Sequence, residues 1–514
     1  MGNPASGVLR KYCPLSLMAV LAIWVILDVF TALSASSDNL VCRFEDDAFF
    51  YATISRHAAE EGIISFDGVS ATNGFHPLWM GILIATRSVV PDQICFLRAV
   101  SVLSSFLLFL AGIIVVRTMS RQYSSVVVLL VLLLLLRYLR DFAHLAMETS
   151  ILIPLAMLAL VLLDGVTRST SIRSLLVLGG VLALVGLARV DAALLAVLTG
   201  IWAMKQNGRL SAAIVFLPGA VAGILLLVAN KLFFGSWMSV SGGIKASGAG
   251  LNTLFAKQLF LLSDPMGLRS PWGLFLLFFA LSFVILFIKR SKPSIRVVSV
   301  FLILFTISQL FLSRWRLWFW YAYPAVLFCA FCLPFLLQKL CDCLRIPKRL
   351  LNVSSAFLLL LSILLAVLWG WHYGGENPDD FRVRNMHIAE ELNSSMGDSV
   401  LIAIGDRAGS FAYFFRGGVV QMEGLAGSVD LAESIQQKRL QEYLLDMGVD
   451  YVVSWTGPGN TEDYTSWDLL VPDIAQSLSL PNRVTVHRED ELQRWAGATG
   501  TVILWRFDGR DVVR

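Results

Sequence analysis

Long apolar runs separated by short polar turns fill the first 371 residues, after which the chain turns polar, charged and periodic. Crossing the hydrocarbon layer of a membrane takes roughly 20 apolar residues. Candidate spans lie at 15–35, 96–116, 123–138, 149–165, 173–187, 190–204, 211–234, 271–288, 295–312, 317–338 and 350–371. The segment 77–90 is also apolar, but it is shorter and carries Trp79 and Arg87. It reads as a helix that lies at the interface or re-enters it. The run 15–35 follows Arg10 and Lys11 as a signal peptide would, yet no clear small-residue cleavage site follows and many spans come later, which favours a retained anchor.

Charge sets the topology. With 77–90 kept out of the membrane, Arg117/Arg121, Arg168/Arg173, Lys205/Arg209, Lys289/Arg290/Lys292/Arg296 and Lys339/Arg345/Lys348/Arg349 all fall on the side of Arg10 and Lys11. That is the arrangement the positive-inside rule demands, and counting 77–90 as a span would reverse the loops that follow. Eleven spans result, with the N-terminus inside and the C-terminus outside. Three outer segments follow: 36–95; 235–270, with glycines at 235, 242, 243, 248 and 250; and 372–514. In the last, 400–404, 451–454 and 501–507 read as strands and 431–447 as an amphipathic helix. The expected fold is an α-helical polytopic membrane protein, with a transmembrane domain over 1–371 and a small extracytoplasmic α/β domain over 372–514.

Composition agrees. Of 514 residues 56% are hydrophobic and 15% charged, with a mean hydropathy of +0.70, so lipid must solvate much of the chain. A net charge of +4 is too small to suggest nucleic acid. Of the seven cysteines, Cys42 and Cys95 share an outer loop without further support for a disulfide, while Cys329 and Cys332 lie inside an apolar span and read as packing rather than metal ligands.

Candidate chemistry starts in the first outer loop, where Glu45, Asp46 and Asp47 stand in a row before Phe49, Phe50 and Tyr51. Adjacent carboxylates repel, which raises the proton affinity of at least one of them and suits it to general-base work. The acids alone fit a solvated loop cap equally well. Further on, Asn73-Gly74 marks a turn, His76 stands beside the interfacial helix, and Pro77 suits that helix's first turn. Other polar residues gather at outer span ends: Arg140, Asp141, His144 and Glu148; Arg189 and Asp191; Lys245; Arg314 and Arg316. Singly, each reads as a paired or snorkelling charge. Together they bring acids and cations to one face, as an anionic phosphate ligand held near a carboxylate base would require.

The loop from Glu45 to Trp79 resembles the first extracytoplasmic loop of GT-C membrane glycosyltransferases, above all the arabinofuranosyltransferase-like and protein-mannosyltransferase-like members. The run from His144 to Thr149 is similar to their Gly-Met-Glu-Thr motif, with Ala146 in place of Gly, and Arg189, Val190 and Asp191 are similar to Arg-Pro-Asp, with Val190 in place of Pro. Phe234, Gly235 and Ser236 resemble the start of the family's next outer loop. Gly405, Asp406, Arg407, Ala408 and Gly409, with Tyr413, Gly424 and Leu425, resemble its extracytoplasmic domain. The resemblance implies an inverting transferase in the bacterial plasma membrane that takes a sugar from a polyprenyl-phosphate donor to a glycan, lipid or protein acceptor on the outer face. Its catalytic carboxylate matches Asp46 or Asp47, and the spacing to Tyr51 and Arg56 favours Asp47. Substrate contacts are then expected from Glu45, Tyr51, His76, Arg140, Asp141, Glu148, Arg189, Asp191, Lys245 and Arg314, with Lys245, Arg189 and Arg314 as the cations facing the leaving phosphate. Some relatives use a divalent cation at the acidic pair and others do not. A transporter or lipid flippase would also have many spans, but paired halves or helices broken at the membrane midplane would be expected of it.

Overall fold

The computed structural model describes residues 4–166, 171–245, 251–252, 255–256, 271–313, 317–345, 347, 379–405, 407–456, 466–470, 483–498 and 500–508. A long first helix, α1 (Pro4–Ser34), leads into a segment of three short helices: α2 (Ser37–Val41), α3 (Asp46–Glu60) and α4 (Pro77–Val89). A helical bundle follows: α5 (Gln93–Met119), α6 (Ser125–Leu145), α7 (Thr149–Val166), α8 (Ile172–Ala188), α9 (Ala193–Asn207) and α10 (Arg209–Phe234). The short helix α11 (Val240–Lys245) precedes α12 (Pro271–Phe287), α13 (Pro293–Phe311), α14 (Tyr323–Phe331) and α15 (Leu333–Cys343). Ten of the eleven expected spans fall on these helices, and 350–371 lies outside the described residues. Among the described residues, six helices are both long and apolar enough to cross a membrane. At 13 residues α4 is about 20 Å long, too short to cross.

Two expected spans differ in detail. The third continues to Leu145 rather than ending at 138, because Arg140 is buried and the helix end packs inside the bundle. The tenth is broken. A 3₁₀ turn (Phe319–Ala322) leads into α14, and the chain breaks at Cys332 ahead of Pro334, whose ring and missing N–H interrupt a continuous helix.

The C-terminal segment is an α/β unit. Helices α16 (Phe381–Ser395), α17 (Ala408–Phe414), α18 (Val429–Gln436) and α19 (Leu440–Asp446) surround strands β1 (Leu401–Ile404), β2 (Gly418–Gln421), β3 (Tyr451–Thr456), β6 (Glu491–Gly497) and β7 (Gly500–Arg506). The sheet order is β2-β1-β3-β7-β6, parallel across the first three strands and antiparallel at β7 and β6. A separate antiparallel pair joins β4 (Ser466–Leu470) to β5 (Arg483–His487). The expected helix over 431–447 is two helices, because Lys438 adopts a left-handed conformation between them.

This unit is locked to the 36–95 segment through α3. The Asp46 carboxylate accepts from the backbone N–H groups of Gly409 (2.8 Å) and Ser410 (2.9 Å) and from the Ser410 hydroxyl (3.2 Å), at the start of α17. At the other end, Arg56 donates to the carbonyls of Tyr413 (3.0 Å), Phe415 (3.1 Å) and Ala412 (3.5 Å). An anion thus meets the positive end of α17 and a cation its negative end, and each satisfies backbone groups that the helix leaves unpaired. The contact leaves no room at Gly409, where a Cβ would stand 2.1 Å from the Asp46 carbonyl oxygen. Phe49 packs on Tyr413 and Phe414, and a single apolar cluster runs from Leu17 in the first span through Phe49 to Phe411 and Ile402. Gly409→Ala is expected to destabilise this docking by about 1–3 kcal/mol, the usual cost of overpacking. Thermal unfolding of the purified protein should show a lowered midpoint and limited proteolysis faster cleavage of the C-terminal unit, although no cavity residue has changed.

Candidate functional site

Where α3, the 74–76 turn, the 147–148 corner, Arg189, α11 and the 320–321 turn meet, they line an open cavity. Six residues singled out in the sequence line it: Asp47, Tyr51, His76, Glu148, Arg189 and Lys245. The cavity also draws on Leu425 of the family-like tail and on Ser241, Trp320 and Tyr321, which the sequence did not mark. Only the meeting of distant segments brings these last three to the site.

Glu148 is the hub of one wall. It is 1% exposed and accepts from Arg189 at 2.5 Å and from the Tyr51 hydroxyl at 3.0 Å. Arg189 also forms a two-point pair with Asp191, at 3.0 and 2.9 Å, and stacks over Tyr321 and Tyr323 with its guanidinium carbon 4.7 and 5.5 Å from the ring centres. Both acids act on Arg189, so its charge is neutralised inside the protein. Of the cations expected to face a leaving phosphate, Arg189 lines the cavity already engaged by two carboxylates. Burial pushes Tyr51 well above the usual phenol range, with Glu148 adding to the effect, and it stays a hydrogen-bond donor. His76 Nε2 lies 3.8 Å from Glu148, and burial holds the imidazole down at about 4, so it is neutral near pH 7.

The opposite pair is Asp47 and Lys245. Burial raises the Asp47 carboxyl to about 7; Lys245 opposes the rise, while Asp46, Glu45 and Glu148 add to it. Burial works against the Lys245 charge, but Tyr321 and Asp47 hold its proton above the usual lysine range. Its ammonium lies 3.4 Å from the Tyr321 hydroxyl. Among the described residues, no carboxylate forms an ion pair with it.

The remaining candidates lie elsewhere. Asp46 is the docking residue of α17, and its carboxylate is engaged there rather than in the cavity. Glu45 precedes α3 near Arg382 and Asp380, and burial raises its proton affinity. Arg140 and Asp141 sit on α6 and do not line the cavity; Asp191 reaches it only through Arg189. Arg314 and Asp406 lie outside the described residues. The donor set does not fit a divalent cation shared by Asp46 and Asp47. Asp46 faces backbone amides, Glu148 is held by Arg189 and Tyr51, and the described residues hold no cluster of three metal-ligating side chains.

The corner that carries Glu148 is strained. Ala146 caps α6 in the left-handed region (φ 52°), where a Cβ is disfavoured, so the Ala that stands for the family's Gly has a physical consequence. Ala146→Gly is expected to raise the thermal midpoint, with a gain of up to about 1 kcal/mol. Asp47→Asn tests the buried carboxyl. A carboxyl whose folded value is raised to about 7 binds its proton more tightly when folded, so wild-type stability falls as pH rises from the unfolded value near 4 towards 7. Unfolding midpoints of the Asn variant should therefore gain on the wild type across that window and hold the gain above it.

No family model matches the sequence, and no curated protein sequence matches it. A solved structure does match in fold: ArnT from Cupriavidus metallidurans in the apo state superposes with a TM-score of 0.53 over 99% of both chains at 12% identity. That likeness runs through the bundle and the C-terminal unit alike. The chain shares the overall fold of that ArnT structure along nearly its whole length.

Proposed function

We propose that this protein is an inverting glycosyltransferase that moves a sugar from a polyprenyl-phosphate donor to a hydroxyl of a cell-envelope glycan, lipid or protein, at the outer face of the membrane. One observation carries the reading: Asp47, with a proton affinity near neutrality, shares an open cavity with Lys245, a cation held in no ion pair among the described residues. The shared fold with ArnT, a 4-amino-4-deoxy-L-arabinose transferase, supports the reaction class. The positive loops gathered on one side of the spans support the outer-face orientation.

In this reading the Asp47 carboxylate takes the proton of the acceptor hydroxyl as its oxygen attacks the anomeric carbon. The bond from that carbon to the donor phosphate breaks on the opposite side, which inverts the centre. The electron pair leaves with the phosphate, where the Lys245 ammonium offsets the growing charge. A base whose value lies near the working pH combines availability with driving force. Glu148, fixed by Arg189 and Tyr51, offers a rigid acceptor for sugar hydroxyls, and Trp320 and Tyr321 present ring faces for the sugar's apolar side. No step calls on a metal ion.

Purified protein supplied with a polyprenyl-phosphate sugar tests this directly. Asp47→Asn is expected to lower turnover by roughly 10²- to 10⁴-fold, the range for loss of a general base. Wild-type turnover should rise with pH and level off above about 7, as the carboxyl loses its proton. Undiminished transfer by the Asn variant would remove Asp47 from the reaction. For orientation, a reporter fused after residue 372 should be active on the outer side; a cytoplasmic signal would overturn the topology.

A further inference from the structure

Lys245 sits on a helix of only six residues that runs between two neighbours distant in sequence. Val240 and Ile244, four residues apart, occupy one face of α11 and pack with Leu425, Ala432 and Val429 of the C-terminal unit into a small apolar cluster of their own. Ser241 and Lys245, each one residue further round, face the cavity. The fit at the seat is close. Gly424 has a φ of +76°, and a Cβ there would stand 2.8 Å from Ile244 Cδ1.

The start of α11 is held from the other side by the first outer loop. Asn73 is 3% exposed. Its amide oxygen accepts from the Val240 N–H at 2.9 Å, and its amide nitrogen donates to the Met238 carbonyl at 3.2 Å. Beside it, the Thr72 hydroxyl donates to the Gly427 carbonyl at 2.6 Å, which ties the Asn73 turn to the same edge of the C-terminal unit. The loop, the helix and the unit thus form one bracket around the cation.

We propose that Asn73 and the Gly424–Ala432 surface are positioning elements for Lys245, and that through them the C-terminal unit sets the affinity of the cavity for a lipid-linked phosphate. The inference rests on the reading of Lys245 as the phosphate-facing cation. Asn73 touches no reacting atom in this scheme; it acts by fixing where the ammonium stands.

A double-mutant cycle separates the two ideas. Binding of a polyprenyl monophosphate without sugar is measured on the full chain in lipid nanodiscs. Lys245→Met and Asn73→Ala are each expected to weaken it roughly ten- to hundredfold, the weight of a hydrogen bond to a charged group. The double variant should bind no more weakly than Lys245→Met alone. Asn73→Asp, which keeps the acceptor for Val240, should fall between wild type and Asn73→Ala. Ala432→Gln, which disturbs the seat from the other side, should also lose its effect in the Lys245→Met background, so the test survives a poorly folded Asn73 variant. If Asn73→Ala and Ala432→Gln weaken binding just as much without the lysine, the positioning idea fails while Lys245 keeps its role. If Lys245→Met binds like wild type, both fail together.

Discussion

The grip of α3 on the short helix α17 is the contact on which the rest of the architecture turns. A helix of seven residues has too few internal hydrogen bonds to be stable alone, and its unpaired N–H and C=O groups must find partners. Asp46 supplies one set and Arg56 the other, ten residues apart along the same outer helix. Because Asp47 follows Asp46 directly, the docking also fixes the direction in which the candidate base points. One carboxylate of the acidic run holds the C-terminal unit in place, and the next faces the cavity.

Several of the buried charges are matched by specific partners. Arg189 is matched by Glu148 and Asp191. A comparable buried cluster forms where Asp28 in the first span pairs with Arg43 at 2.8 Å and with His144 at 3.0 Å, and the Ser105 hydroxyl completes it. An unpaired carboxylate buried there would be costly, so these contacts bind α1, α5 and α6 to each other. Arg43 lies just ahead of the acidic run and His144 just ahead of the Glu148 corner, so this cluster anchors the roots of both cavity walls. Against that background Lys245 stands out. Among the described residues it forms no ion pair; its neighbours there are a tyrosine hydroxyl and the cavity.

Some disagreements between pattern and structure have direct physical causes. Strand β6 (Glu491–Gly497) left no mark in the pattern, because as an edge strand it is mostly exposed and its residues do not alternate apolar with polar. Strand β2 (Gly418–Gln421), which opens on a glycine and ends on a polar residue, likewise left no mark. Asp28 was hidden within a run whose mean character is apolar, and a single polar residue there becomes visible only once its partners are known.

Hydropathy and the placement of basic loops were enough to give the helical bundle, the short helix at 77–90 and the polar α/β tail, since each depends on local composition alone. The acidic run and the corners at Glu148 and Arg189 were legible too, as short stretches of charge where charge is expensive. Folding settled what became of each charge. Asp46 and Asp47 are neighbours of the same type, and no sequence property separates a helix-docking carboxylate from a cavity-facing one; the position of α17 does. Arg189 and Lys245 were equivalent cations until Asp191 and Glu148 closed on the first. Asn73 read as a turn residue, and only the arrival of α11 from 167 residues away gave its amide two partners. The sequence by itself determined which segments meet lipid and which meet water, because that depends on each residue's own chemistry. Which charges pair and which remain available depends on distances between remote segments, and those exist only in the folded chain.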